Sequence, residues 1–187
     1  MKKIGILMGS ASDLPAVEKA MKTLDQFGVP FEVHVYSAHR TPAEVKEFTA
    51  NARANGFGAI IAAAGMAAAL PGVVASQTVI PVIGVPLSGS VLDGMDALMS
   101  IVQMPSGIPV ATVAIDGAEN AGILAAQILA LKYDNIAKLL IKHKEDMTVK
   151  AIESLKELLG LQNLPKRIEC VDISNVSGVE KVASMVV

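Results

Sequence analysis

The chain has no Trp, only two Tyr and four Phe, and one Cys among its 187 residues. With aromatics at 3%, its core must be built from Ala, Val, Ile, Leu and Met, which the 52% hydrophobic content supplies. The lone thiol, Cys170, excludes an internal disulfide and suits a reducing cytosol, so a cytoplasmic protein is expected. A formal net charge of −2 gives no cationic excess for nucleic acid or an anionic membrane, and neither is expected as a partner. Met1-Lys2-Lys3 resembles the start of a signal peptide, but the apolar run that follows ends at Met8, which is too short. Residues 59 to 75 are nearly all apolar, yet Gly65, Pro71 and Gly72 divide them. They read as a buried strand, a turn and a helix rather than a membrane span. No Cys, His or carboxylate grouping has metal-ligand spacing, so no metal and no cofactor are expected.

What remains is a repeated strand–helix pattern. Ile4 to Met8 is a short apolar strand, and Asp13 to Phe27 carries Leu14, Val17, Met21 and Leu24 at helical spacing. Phe31 to Tyr36 alternates as a second strand, with His34 expected to pack beneath a helix; Pro42 opens a helix that runs to about Asn55. Strands follow at Ala59 to Ala63, Pro81 to Val85 and Val110 to Ile115, with helices to about Ser76, over Leu92 to Val102 and over Asn120 to Leu131. Five such units predict an α/β, flavodoxin-like, three-layer, doubly wound parallel sheet of order 2-1-3-4-5. That order brings the loops after the first three strands together at one rim. Beyond them, helices are expected over Asp134 to Lys150, where His143 sits on a solvated face, and over Lys150 to Leu161. Two strands, Arg167 to Ile173 and Lys181 to Val187, follow around a turn at Asn175 to Gly178. The expected division is therefore a catalytic domain over 1–146 and a helical and strand extension over 147–187. The extension ends inside an apolar strand and reads as a truncated or grafted piece.

Three loops hold the candidate chemistry. In the first, Gly9 permits close backbone approach, Ser10 and Ser12 offer hydroxyls, and the helix start offers free N–H groups, together a phosphate site. Asp13 would repel a phosphate and is assigned to a ribose hydroxyl, although Ser12 or Asp13 could equally cap the helix. The second loop, Ser37-Ala38-His39-Arg40-Thr41, places a group that titrates near neutrality beside a permanent, fork-shaped cation and two hydroxyls. Capping accounts for Ser37 or Thr41 but not for adjacent His and Arg. The third, from Ala62 through Gly65 to Gly72, has almost no polar side chain; Ala64, Gly65 and Leu70 would offer a substrate backbone amides and a small, dry wall, or could equally serve close strand–helix packing. Ser88 and the stretch Ser100 to Gly107 are expected to add to the rim, although Gln103 could as easily be a structural amide tying loops together. The pattern points to metal-free acid–base chemistry on a phosphorylated small molecule.

These blocks carry a resemblance. MGSASD (Met8 to Asp13), SAHRTP (Ser37 to Pro42), LPGVVAS (Leu70 to Ser76), PVIGVP (Pro81 to Pro86), SIVQMPSGIPVATVAI (Ser100 to Ile115) and NAGILAAQILAL (Asn120 to Leu131) resemble the PurE family. That family comprises the carboxyaminoimidazole ribonucleotide mutases and the related aminoimidazole ribonucleotide carboxylases of purine biosynthesis, and SAHRTP is more similar to the mutase class. The resemblance implies a homo-octamer with active sites shared between subunits and a carboxylate moved from the exocyclic nitrogen to C4 of the imidazole. Carbon dioxide is released and recaptured on the way. It implies that His39 is the general acid/base and that Ser10, Asp13 and Arg40 bind the nucleotide. Direct carboxylation by carbon dioxide, or a catalytically impaired nucleotide-binding variant, are the alternatives. The last stems from a departure: the third loop in this family usually reads Gly-Gly-Ala-Ala-His-Leu-Pro-Gly. Here Met66 replaces a glycine and Ala69 stands where the histidine is expected. The tail, from Leu158 through Asp172 to Val187, is similar to the opening strands of the RNase H-like domain of UvrC. Only its first acid, Asp172, is present, and one carboxylate cannot assemble a two-metal site, so no nuclease activity is expected.

Overall fold

In the computed structural model, which describes residues 1–165, 170–176 and 180–186, five parallel strands form one sheet of order β2-β1-β3-β4-β5. They are β1 (Lys3–Met8), β2 (Phe31–Val35), β3 (Phe57–Gly65), β4 (Val82–Leu87) and β5 (Ala111–Thr112). The helices are α1 (Leu14–Gln26), α2 (Pro42–Asn51), α3 (Leu70–Ala75), α4 (Met95–Val102), α5 (Ala118–Ala130) and α6 (Asp134–Leu158). The expected flavodoxin-like topology is the observed one.

The strands are apolar on both sides because both faces of the sheet are covered. On β1, Ile4, Ile6 and Met8 enter one core with Val17 and Leu24 of α1 and Ala121, Ala125 and Leu129 of α5. Leu7 points the other way, into a core with Val45 of α2, Val74 of α3 and Ile101 of α4. β3 alternates likewise, Ala59, Ile61 and Ala63 to the first core and Ile60, Ala62 and Ala64 to the second. Small residues bring the first layer close: a Cβ on Gly122 of α5 would lie 2.9 Å from Thr23 Cβ and 3.0 Å from the Ala20 carbonyl of α1. His34 stacks on Tyr36 with centroids 4.9 Å apart and meets Phe48 of α2 at 5.0 Å.

Several boundaries differ from expectation, each for a local reason. The residues before α1 form a 3₁₀ turn, Ala11–Asp13, and Leu14 is exposed rather than part of the buried stripe. α4 begins at Met95, not Leu92, because Gly94 sits at φ +86 and breaks the helical path. The strand expected over Val110 to Ile115 pairs only at Ala111 and Thr112. Pro86 explains this. Val113 N–H reaches the Gly84 carbonyl at 3.1 Å and Asp116 N–H the Pro86 carbonyl at 2.9 Å, so even-numbered β4 residues face β5. Proline has no N–H to return, and the ladder stops after Gly84. The two helices expected over Asp134 to Leu161 are one, since neither Gly nor Pro interrupts residues 134–159.

Met1–Leu140 and Ile141–Val187 are two compact units, divided inside α6. In the second, β6 (Cys170–Val176) pairs antiparallel with β7 (Glu180–Val186). Of the strands and turn expected there, Arg167 to Glu169, Ser177, Gly178 and Val187 lie outside the described residues. Among the described residues no helix is long and apolar enough to cross a membrane; the apolar stretch from 59 to 75 is the end of β3, a loop and α3.

Candidate active site

Parallel strands deliver their following loops to one edge of the sheet, and here β1 and β3 leave in opposite directions from the centre, the place where such sheets open a crevice. The loops after β1, β2, β3 and β4 enclose a cavity of about 760 Å³ at that edge. From the first three loops it is bordered by Gly9, Ser10, Ser12 and Asp13, by Ser37, His39 and Arg40, and by Ala64, Gly65 and Leu70.

The first loop is stiffened by reciprocal capping. Ser10 Oγ accepts from the Ser12 N–H at 3.3 Å and the Ser12 hydroxyl at 2.8 Å, while Asp13 Oδ2 accepts from the Ser10 N–H at 3.0 Å. Asp13 precedes α1 without capping it through its side chain; the capping hydroxyl of the turn is that of Ser10, and the Asp13 carboxylate has further acceptor sites after its one bond. Ser10 Oγ, accepting twice, still has its own proton to give.

The second loop is organised around Ser37, which is buried. Its Oγ accepts from Arg40 N–H at 3.2 Å and His39 N–H at 3.4 Å, and its N–H donates to Thr41 Oγ1 at 2.8 Å. Thr41 precedes α2 without capping it through its side chain, and Pro42 takes the first helical turn, where a missing N–H costs nothing. The turn holds the His39 and Arg40 side chains outward, both exposed, over the cavity. An Arg40 Nη2 hydrogen bond to the Gly9 carbonyl ties the second loop to the first.

The third wall, from Ala64 through Ala69 to Leu70, is apolar, and Met66 holds φ +54, a left-handed conformation unusual for a residue with a Cβ. The departures Met66 and Ala69 both border the cavity. Sequence reasoning missed most of a fourth wall, Leu87 to Ser90, of which it noted only Ser88. Gln103 and the rest of Ser100 to Gly107, expected at the rim, do not border the cavity in this chain. Among the described residues, no three His, Cys, Asp or Glu side chains converge to hold an ion. The arrangement offers a guanidinium and hydroxyls for an anion, an exposed imidazole for proton transfer, and an apolar side.

The chain is similar to known proteins along most of its length. Residues 3–150 match the AIR carboxylase family model, and residues 156–187 match that of the UvrC RNAse H endonuclease domain. The chain is 58% identical to the N5-carboxyaminoimidazole ribonucleotide mutase of Methanocaldococcus jannaschii, over 83% of this chain and 98% of that protein. It is 54% identical to the mutase of Pyrococcus horikoshii, over 83% of this chain and 88% of that one. The crystal structure of Treponema denticola PurE superposes with a TM-score of 0.77 at 31% identity, covering 87% of this chain and all of its own. On these matches, and on a sheet order and cavity that residues 3–150 build by themselves, the chain belongs to the AIR carboxylase, or PurE, family.

Proposed function

We propose that this chain is an N5-carboxyaminoimidazole ribonucleotide mutase, with His39 as its general acid/base. The observation that carries the proposal is the meeting, in one cavity, of the His39 imidazole, the Arg40 and Gly9–Asp13 anion-binding groups, and an Ala/Gly-rich wall. Ser10, Ser12 and Arg40 take the phosphate, Asp13 accepts from a ribose hydroxyl, and Ser37 holds the turn that presents His39. The imidazole ring of the substrate then lies toward Ala64, Gly65 and Leu70.

The chemistry needs little more. His39 in its protonated form delivers a proton to the exocyclic nitrogen as the N–CO₂ bond breaks, leaving an amine and carbon dioxide. C4 of the aminoimidazole is an enamine-like nucleophile and attacks carbon dioxide directly, so the essential requirement is that the gas stays beside it in a water-poor pocket. The new C4–C bond forms, C4 sheds its proton to the now neutral His39, and the catalyst returns to its starting state. An imidazole suits both transfers because its ring can give a proton and, once neutral, take one back.

Assembly belongs to the same proposal. Leu92, Met95, Met99 and Val102 follow one another at helical spacing into and along α4 and are each about half or more exposed, with Val91 fully so. Such a stripe needs a cover, and further copies of this chain, forming a homo-octamer, are the occupant. Met99→Glu is expected to lower the mass measured by light scattering to that of smaller assemblies; an unchanged mass would remove α4 from the interface.

The decisive assay supplies the carbamate substrate without added bicarbonate and follows the C4-carboxylated product. Product formation supports the mutase. Turnover only of aminoimidazole ribonucleotide with bicarbonate assigns direct carboxylation instead, and binding without product assigns an impaired binding protein, with Ala69 in place of the family's histidine as the reason. No chemistry is assigned to the Ile141–Val187 unit.

A further inference from the structure

Among the described residues, three that are not glycine hold a left-handed φ: Met66 at +54, Asp93 at +51 and Asp116 at +56. A Cβ makes that conformation costly, and such strain persists only where the surroundings enforce it. One lines the cavity and the other two brace one of its walls. Met66 lines it directly. The Asp93 N–H closes a turn on the Ser90 carbonyl at 3.1 Å, and the Asp116 N–H is bound by the Pro86 carbonyl at 2.9 Å, so these two flank the Leu87–Ser90 wall.

Beyond Leu87, the last residue of β4, that wall has no regular structure of its own. Ser88 and Gly89 are exposed, and Gly89 turns the chain at φ +95. Its position comes from tethers. Asp116 Oδ1 accepts the Ser88 N–H at 3.0 Å, and Asp96 Oδ1 accepts the Ser90 hydroxyl at 2.6 Å. From below, Gly94 presses against it: a Cβ there would lie 3.2 Å from Ser88 Cα and 3.3 Å from the Leu87 carbonyl. Asp116 does not itself border the cavity.

We infer that Asp116 is a positioning residue for the reaction: its left-handed turn after β5 aims a carboxylate at the Ser88 amide and so fixes the fourth wall against which the substrate closes. Aspartate meets both demands of the position, tolerating the left-handed region better than most residues and accepting an N–H more strongly than a neutral group. Without the tether, the substrate itself must order Ser88 to Ser90 on binding. The cost then falls on affinity and raises KM, while His39 and its proton transfers are untouched. The inference rests on the mutase reading for its kinetic consequence, though not for the tether.

Two variants separate acceptor from backbone. Asp116→Gly keeps the left-handed φ without strain and removes the acceptor; Asp116→Asn keeps an oxygen at the same place and also tolerates the conformation. Asp116→Gly is expected to raise KM for the carbamate about tenfold or more, as for loss of a charge-assisted hydrogen bond, with kcat within about threefold. Asp116→Asn is expected to keep both within about threefold. Amide hydrogen exchange over residues 87–90 of the full chain should quicken in Asp116→Gly and stay slow in Asp116→Asn. Wild-type kinetics and exchange in Asp116→Gly would overturn the inference. So would equal damage in the two variants, or a fall in kcat with KM unchanged. If the wild-type chain turns over no carbamate, the mutase reading fails, and the exchange measurement still decides the tether.

Discussion

His39→Asn is expected to lower turnover of the carbamate by about 10²–10⁴-fold while leaving the affinity for aminoimidazole ribonucleotide within about threefold. Asparagine is close to imidazole in reach and hydrogen-bonds well, but it neither gains nor loses a proton in the working pH range. The substitution therefore isolates proton transfer from contact. Ser37 holds the turn through the backbone N–H groups of His39 and Arg40, not through the imidazole, so the loop should keep its shape. Equilibrium binding of aminoimidazole ribonucleotide, alongside single-turnover rates, provides the two readings. A variant that binds poorly yet turns over normally once bound would transfer the catalytic role away from position 39.

Arg40→Ala is expected to raise KM by about 10–100-fold with a smaller change in kcat, the range for losing a hydrogen bond to a charged group, roughly 1.5–3 kcal/mol. Among the described residues that line the cavity, Arg40 is the permanently charged cation, and it also ties the second loop to the Gly9 carbonyl. Its loss removes attraction for a phosphate and loosens the join between two walls. Arg40→Lys should recover only part of the effect, because an ammonium keeps the charge but cannot span a phosphate and a carbonyl with one rigid fork. Salt separates the two contributions: the wild-type KM should rise with ionic strength, and that of Arg40→Ala should rise less. A KM indifferent to both substitutions would take the phosphate away from this loop.

The first two walls of the cavity were legible because local signals coincide there. An apolar or alternating strand, a turn rich in hydroxyls and a proline-led or capped helix each mark a strand-to-helix rim, and adjacent His and Arg have no packing role to explain them. The strand count and order were legible for a related reason, since strands buried on both faces read as short apolar runs between helical periods. The fourth wall was harder to see. Leu87 to Ser90 is small and flexible in composition, and what makes it a wall is a carboxylate nearly thirty residues later. The length of β5 was misjudged because a ladder depends on its partner: residues 110 to 115 have every strand-like property, and the missing donor is on β4. The split drawn through α6 had no breaker behind it. Gln103, an amide that suits a rim or a loop tie equally well, does not border the cavity of a single subunit.

Pro86 bears on more than sheet length. Because its ring has nothing to offer across the gap, the chain leaving β5 is released early, and the turn at Asp116 comes level with Ser88 instead of being zipped alongside β4. An ordinary amide at that position would invite the strand to run on, carrying the carboxylate past the serine it now holds. One imino acid near the end of β4 thus sets where the chain after β5 turns, and any descendant that exchanged it would have to find another way to bring a carboxylate to Ser88.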